Sequence, residues 1–167
     1  MPDKAEYRFT IADTIIDILK SAFAGSVFKT YYYRDPLAIP QQNLPCIIVE
    51  TDSVEAKLEA TGRDEMISRV VIKIVVNKKS DFGKSPTEVT WGRTLEQFAC
   101  GIDIDTGEYH TKSVLGILRK NLTLNNEIEN QGVNIKFGVT PRPGEMLTEE
   151  AHITVTASEA LSVTGRR

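Results

Sequence analysis

The sequence predicts an α+β fold: a single domain in which a mostly antiparallel β-sheet is flanked by helices. An amphipathic helix comes first, three strand-like segments follow it, and two helices and two more strand-like segments complete the chain. Because the strands are grouped rather than alternating with helices, antiparallel pairing is favoured over parallel βαβ units. The length of 167 residues fits one domain, residues 1–167, around one hydrophobic core.

Three helices are predicted, and the clearest covers residues 9–24, where apolar residues recur at helical spacing. Thr10 is placed to cap its start and Gly25 to end it. Shorter helices are predicted over residues 86–99 and 111–121. The predicted core contacts of the three helices are Ile11, Ile15, Ile18, Leu19 and Ala22, then Val89, Leu95, Phe98 and Ala99, and finally Val114, Leu115 and Leu118.

Three strands are predicted before the second helix, over residues 27–34, 46–52 and 66–77. The third has one fully apolar face and one mixed face, which is typical of an antiparallel sheet covered by helices on one side. Three prolines in residues 35–45 predict an exposed loop, and the polar residues 53–65 predict either an extended hairpin tip or a loop. The apolar face of the third strand consists of Val70, Ile72, Ile74 and Val76.

The last third of the chain predicts a β-hairpin. Residues 132–139 and 151–157 both alternate between apolar and polar side chains, and residues 140–149 are predicted to form a long loop between them. The apolar faces consist of Val133, Ile135, Phe137 and Val139 in the first strand, and of Ala151, Ile153, Val155 and Ala157 in the second.

The segment DFGKS, residues 81–85, looks like a nucleotide-binding motif. A P-loop also needs a glycine where this sequence has Lys78, and a kinase DFG motif needs an upstream catalytic loop and a longer chain. Ser85–Glu88 instead reads SPTE, a capping box with proline at the first helical position. The segment is therefore predicted to be a corner between a strand and a helix.

No metal site is predicted from the cysteines or the acidic segments. Cys46 and Cys100 each follow apolar residues and are interpreted as small buried hydrophobes of a protein that folds in a reducing compartment. Residues 103–108, DIDTGE, are similar to half of a calcium loop, but Val114 stands where the bidentate glutamate belongs. A solvated turn at Gly107 is the favoured interpretation.

The two histidines do not predict a catalytic site. His110 lies at a junction between a loop and a helix, and His152 shares the polar face of its strand with Glu150, as a surface pair. No catalytic residue, cofactor site or metal site is predicted, and the chain is predicted not to be an enzyme. A small enzyme with an atypical site around His110 and residues 103–105 stays open as an alternative.

Nucleic-acid binding is a second alternative. Tyr31 and Tyr33 share one face of a strand, where aromatic rings can stack on bases. A net charge of −3 favours the other interpretation, partial burial at a subunit contact, because general duplex-DNA binders are more often basic. The first 20 residues contain four acidic residues and no long apolar run, so neither a signal peptide nor a membrane span is predicted.

The layout of the chain resembles a known family. After the first helix and strand come a proline-bearing loop, LPCIIVETD, a polar segment and the long strand ISRVVIKIVV; two helices follow, then the hairpin NIKFGVT and AHITVTA, and a basic end, GRR. This order of elements over nearly the whole chain resembles tail terminator, or tail completion, proteins of long-tailed bacteriophages.

The resemblance implies a structural protein of the virion, at the interface between head and tail. It implies a hexameric ring that caps the tail tube, ends its polymerisation and joins the tail to the head connector. The implied partners are further copies of the chain, the tail tube protein and neck proteins. Genome DNA would pass through the lumen without specific binding, which an acidic protein suits. Assembly would take place in the cytoplasm of the bacterial host, without a membrane.

Two points remain open from the resemblance. A neck or head-completion protein, which joins head and tail, has a similar size and a related fold. The loops at residues 35–45, 54–65 and 140–149 are expected to make the contacts between subunits and with the tube.

Overall fold

A computed structural model describes residues 11–58, 63–81, 91–121 and 130–162. It confirms the predicted fold class, because three helices accompany a five-stranded, mostly antiparallel sheet in one compact α+β domain. The helices are α1 (Ile11–Ala22), α2 (Trp91–Cys100) and α3 (Val114–Lys120). The strands are β1 (Thr30–Tyr33), β2 (Cys46–Leu58), β3 (Arg63–Asn77), β4 (Asn130–Arg142) and β5 (Met146–Ser162).

The strands lie in the order β1-β2-β3-β5-β4, so the last strand of the chain inserts between β3 and β4. β1 runs parallel to β2, and the other three pairs are antiparallel. β3 and β5 pair over the full length of β3, with Ile72 opposite Ile153. The two longest strands therefore form the centre of the sheet.

The three helices cover one face of the sheet, called here the helix face. The predicted apolar faces of β3 and β5 point to it and are fully buried, as are Ile47 and Val49 of β2. From the helices, Ile15, Leu19, Leu95 and Leu118 complete this core. The 3.6-residue and 2-residue periods of the sequence therefore predicted most inward-facing residues correctly. Ala22, predicted as a core contact at the end of α1, is instead exposed.

The start of β4 follows the same pattern and its end does not. Val133 and Ile135 pack against the core, whereas Phe137 and Val139 are about half exposed on the same face. Gly25, with φ 73°, turns the chain after α1 as predicted. Thr10, the predicted capping box at residues 85–88 and Val89 lie outside the described residues.

The prediction of a long loop at residues 140–149 is wrong. β4 continues to Arg142 and β5 begins at Met146, so the connection is a tight turn in which Gly144 and Glu145 take positive φ. The prolines of this segment suggested irregular structure. β4 is the last strand of the sheet, where a proline is tolerated because no further strand needs its missing N–H.

In the polar segment at residues 53–65, the described residues 53–58 and 63–65 belong to an extended hairpin rather than to a loop. β2 continues to Leu58 and β3 begins at Arg63. From Asp52 to Leu58 every side chain of β2 is exposed, which explains the polar composition that made the segment resemble a loop. Together with the end of β5 these residues form a three-stranded extension, the tongue, consisting of residues 53–58, 63–69 and 156–162.

The loop at residues 35–45 was predicted to be exposed, but part of it is buried. It folds across the second face of the sheet and buries Ile39 and Leu44. These two side chains form a second, smaller core with Cys46, Ile48 and Val75, which point away from the helices. The loop therefore covers one end of the face that the helices leave open.

Candidate functional site

The second face of the sheet carries a buried ionic network beside the small core. Arg142, the last residue of β4, is its centre. Its Nε donates to Glu150 Oε1 at 2.7 Å, and its Nη1 and Nη2 donate to the two carboxylate oxygens of Asp35 at 2.8 and 3.1 Å. Nη1 also donates to the carbonyl oxygen of Leu37 at 3.2 Å. The planar guanidinium thus connects the terminal hairpin to the loop at residues 35–45.

Lys73 extends the network into the central strand β3. Its Nζ lies 2.9 Å from Asp35 Oδ2 and 2.6 Å from Glu50 Oε1. Glu50 also accepts a hydrogen bond from the backbone N–H of Asp35 at 3.2 Å. Burial alone lowers the pKa of a lysine, but the hydrogen bonds to Glu50 and Asp35 outweigh it and raise the pKa of Lys73.

Glu150 and His152 are not the surface pair that the sequence predicted. Glu150 is 1% exposed, and its Oε2 lies 2.7 Å from His152 Nε2, while Thr148 Oγ1 donates to its Oε1 at 2.7 Å. Strand alternation correctly placed the two residues on one face. It could not show that Arg142 and the loop at residues 35–45 cover the glutamate and leave the histidine half exposed.

The network holds the carboxylates of Glu150 and Asp35 in their charged form. Burial raises the pKa of a carboxyl group, but hydrogen bonds from His152, Arg142 and Thr148 outweigh it and lower the pKa of Glu150 to about 2. Burial likewise disfavours charge on Asp35. Hydrogen bonds from its basic partners, Arg142 first, nevertheless hold its pKa well below the usual 3.8.

Each oxygen of these carboxylates accepts a hydrogen bond, so neither group is arranged as a free base. Asp35 Oδ1 also accepts from the backbone N–H of Leu37 at 2.9 Å. The chemistry of the network is therefore mutual charge compensation that fixes the loop at residues 35–45 to the sheet. Sequence reasoning missed it because Asp35 and Arg142 lie 107 positions apart.

An open groove lies on the same face, further towards the tongue, with a volume of about 610 Å³. β3, β5 and β4 form its floor. Arg69, Lys136 and His152 line it, and Asp52 is the one acidic residue among the lining residues that the structure describes. Thr154, Thr156 and Asn134 supply further polar groups. The groove is thus polar and carries more positive than negative groups.

The predicted solvated turn is confirmed and forms an exposed projection, here called the knob, at residues 102–109. Asp103 Oδ1 accepts from the backbone N–H groups of Asp105 and Thr106, both at 3.0 Å. Ile102 pairs with Tyr109, and Gly107 takes φ 68°. Ile104 is 98% exposed at the tip. The knob is therefore a small hairpin that presents an apolar side chain to solvent.

His110 serves the local structure after the knob. Its Nδ1 accepts from the backbone N–H of Lys112 at 3.1 Å, and its carbonyl oxygen accepts from Ser113 Oγ at 2.8 Å. Ser113 caps α3 by accepting from the N–H of Gly116 at 3.1 Å. The carbonyl of His110 passes so close to Gly116 that a Cβ there would lie 2.2 Å from it.

Replacing Gly116 with alanine is expected to lower the free energy of unfolding by roughly 1–3 kcal/mol, because the added methyl group overpacks against a backbone carbonyl. In an unobstructed helix the same change stabilises by about 1 kcal/mol. Urea denaturation monitored by circular dichroism measures the difference. Gly138→Ala is the matched control, because a Cβ at Gly138 meets nothing within 4 Å. A G116A protein as stable as the wild type would contradict the expectation.

The tyrosines of β1 point in different directions. Tyr31 packs against the helix-face core, where burial raises its pKa, and Tyr32 packs against the small core and accepts from Asn43 Nδ2 at 2.7 Å. Tyr33 is about half exposed. Tyr31 and Tyr33 therefore do not offer two equally accessible rings for stacking.

The cysteines fit their predicted role in part. Cys46 is fully buried in the small core, and burial, with smaller charge effects, raises the pKa of its thiol to about 12. Cys100 is only half-buried, and burial also raises its pKa. Among the described residues, no group of three or more His, Cys, Asp or Glu side chains is placed to hold a metal ion.

No model of a known protein family matches the sequence, and no curated protein matches it significantly. Within the described ranges, none of the helices combines the length and apolar character needed to cross a membrane.

Proposed function

We propose that the protein is a structural component of a bacteriophage virion that assembles into a closed ring, caps the tail tube and joins the tail to the head connector. The observation that carries the proposal is the tongue. In the tongue, β2, β3 and β5 continue beyond the helix-covered part of the sheet. Every β2 side chain there is exposed, including Val54 at 52% and Leu58 at 74%. Exposed apolar side chains on a regular, projecting sheet are typical of an assembly contact.

The internal network supports the same proposal. The loop at residues 35–45 and the terminal hairpin were expected to contact other subunits, and within the subunit they bind each other through Arg142 and Asp35. A subunit tied together in this way presents a fixed shape to its neighbours. Ring assembly needs such a shape, because each interface must repeat with the same geometry until the ring closes.

Locating the chain in purified particles tests this function. Virions of the phage that encodes it are separated into heads and tails, and each fraction is probed with an antibody against the chain. We expect the chain in the tail fraction, with gold label at the tail end that meets the head. Recovery with the heads alone would favour the neck or head-completion alternative. Absence from both fractions would contradict a structural role in the virion.

A further inference from the structure

The groove on the second face carries more positive than negative charge. Within the described residues, the side chains of Arg69 and Lys136 form no hydrogen bond or ion pair, and both residues are exposed. They line the groove together with His152, and Asp52 opposes them there. An exposed pair of cations without ion-pair partners, above a polar floor of threonine and asparagine side chains, fits an acidic protein segment.

The knob has the complementary character. Residues 102–109 contain three acidic residues, Asp103, Asp105 and Glu108, and no basic one. The hydrogen bonds of Asp103 fix its backbone, so little conformational entropy is lost when it binds. Ile104 at the tip is almost completely exposed, and Val71 supplies an apolar surface in the groove.

The knob and the groove lie on opposite sides of the subunit. The knob connects α2 to α3, and both helices pack on the helix face, whereas the groove opens on the second face. When one copy binds another through these surfaces, the pair keeps one unused knob and one unused groove. Such a head-to-tail contact continues from copy to copy until a ring closes.

We propose that the knob of each copy inserts into the groove of the next copy, with Asp105 and Glu108 facing Arg69 and Lys136. This inference rests on the proposed ring function and names the contact that builds the ring. The occupant of the groove is thus a second copy of the chain. The tongue remains available for the tail tube.

Two charge-reversed chains test the contact. The knob variant carries Asp105→Lys and Glu108→Lys; Asp103 is left unchanged because it holds the turn. The groove variant carries Arg69→Glu and Lys136→Glu. Alone, each variant faces like charge at every contact. Mixed in equal amounts, the basic knob meets the acidic groove, and the acidic knob of the groove variant meets the basic groove of the knob variant, so that the two chains alternate.

Sedimentation velocity and native mass spectrometry give the readout. We expect rings from the wild type, monomers from each variant alone at the same concentration, and rings of equal composition from the mixture. Rescue by mixing also shows that both variants fold. The control Asp17→Lys with Glu96→Lys makes the charge change of the knob variant on the exposed surfaces of α1 and α2, and we expect it to assemble like the wild type.

The outcomes separate the two proposals. Rings from both variants alone, or a mixture that stays monomeric while the wild type forms rings, would overturn the knob–groove contact and leave the ring function standing. Loss of rings in the groove variant only would show that a different acidic segment occupies the groove, and would overturn the role of the knob. A wild type that stays monomeric would contradict both.

Discussion

Replacing Arg142 with alanine is expected to lower the free energy of unfolding by roughly 3–5 kcal/mol, the largest effect of any substitution considered for this chain. The side chain is 4% exposed and bridges the buried carboxylate of Glu150 and the partly buried carboxylate of Asp35. Without Arg142, Asp35 loses its bidentate partner and Glu150 loses a charge-assisted hydrogen-bond donor. Both carboxylates then lie beside fewer cations. Chemical denaturation at neutral pH measures the loss.

Two controls sharpen this expectation. Arg142→Lys keeps the charge without the planar fork, so we expect an intermediate loss. Lys57→Ala removes an exposed ion pair with Glu65, whose atoms are 3.7 Å apart and whose side chains are 53% and 39% exposed. That change is expected to cost less than about 1 kcal/mol. If R142A cost no more than K57A, the network would not contribute to stability as described.

Acid is expected to destabilise the protein through the same network. The pKa of Glu150 is lowered from 4.5 to about 2 in the folded chain. A lowered pKa contributes stability that is fully present above the pKa of the unfolded chain and is lost as pH falls towards the folded pKa. The contribution of Glu150 to the free energy of unfolding should therefore be level above about pH 5 and fall between about pH 4.5 and pH 2, by on the order of 3 kcal/mol.

Glu150→Gln separates this contribution from general acid effects. The variant is expected to be less stable than the wild type at pH 7 and to lose less stability between pH 5 and pH 2. The slope that remains should come largely from Asp35, whose pKa is also lowered. Glu96→Gln, at an exposed position of α2, is the control and should leave the shape of the curve unchanged. Identical pH curves for E150Q and the wild type would contradict the assignment.

Residue periodicity predicted the helix face well because that face depends on local pattern. α1 and β3 each place apolar residues at the spacing of their own secondary structure, and Ile15 and Ile72 are fully buried where that spacing puts them. The solvated knob followed from Gly107 and the acidic residues around it. These features need only a few consecutive residues for their prediction.

The second face could not be predicted in this way. Its network joins Asp35 to Arg142 across most of the chain, and the prolines near both residues suggested exposed loops. The groove depends on the insertion of β5 between β3 and β4, which brings Arg69 and Lys136 to the same surface. Strand alternation predicts which side chains share a face of one strand, but not which strands become neighbours.

The mass of the wild-type assembly tests most directly whether the chain forms the proposed closed ring. Native mass spectrometry of the purified protein should show a single species of about six copies of the 18.6 kDa chain, and electron micrographs should show a central hole. Salt should weaken the assembly, because its proposed contacts are charged. A chain that stays monomeric at every concentration and ionic strength would contradict the account.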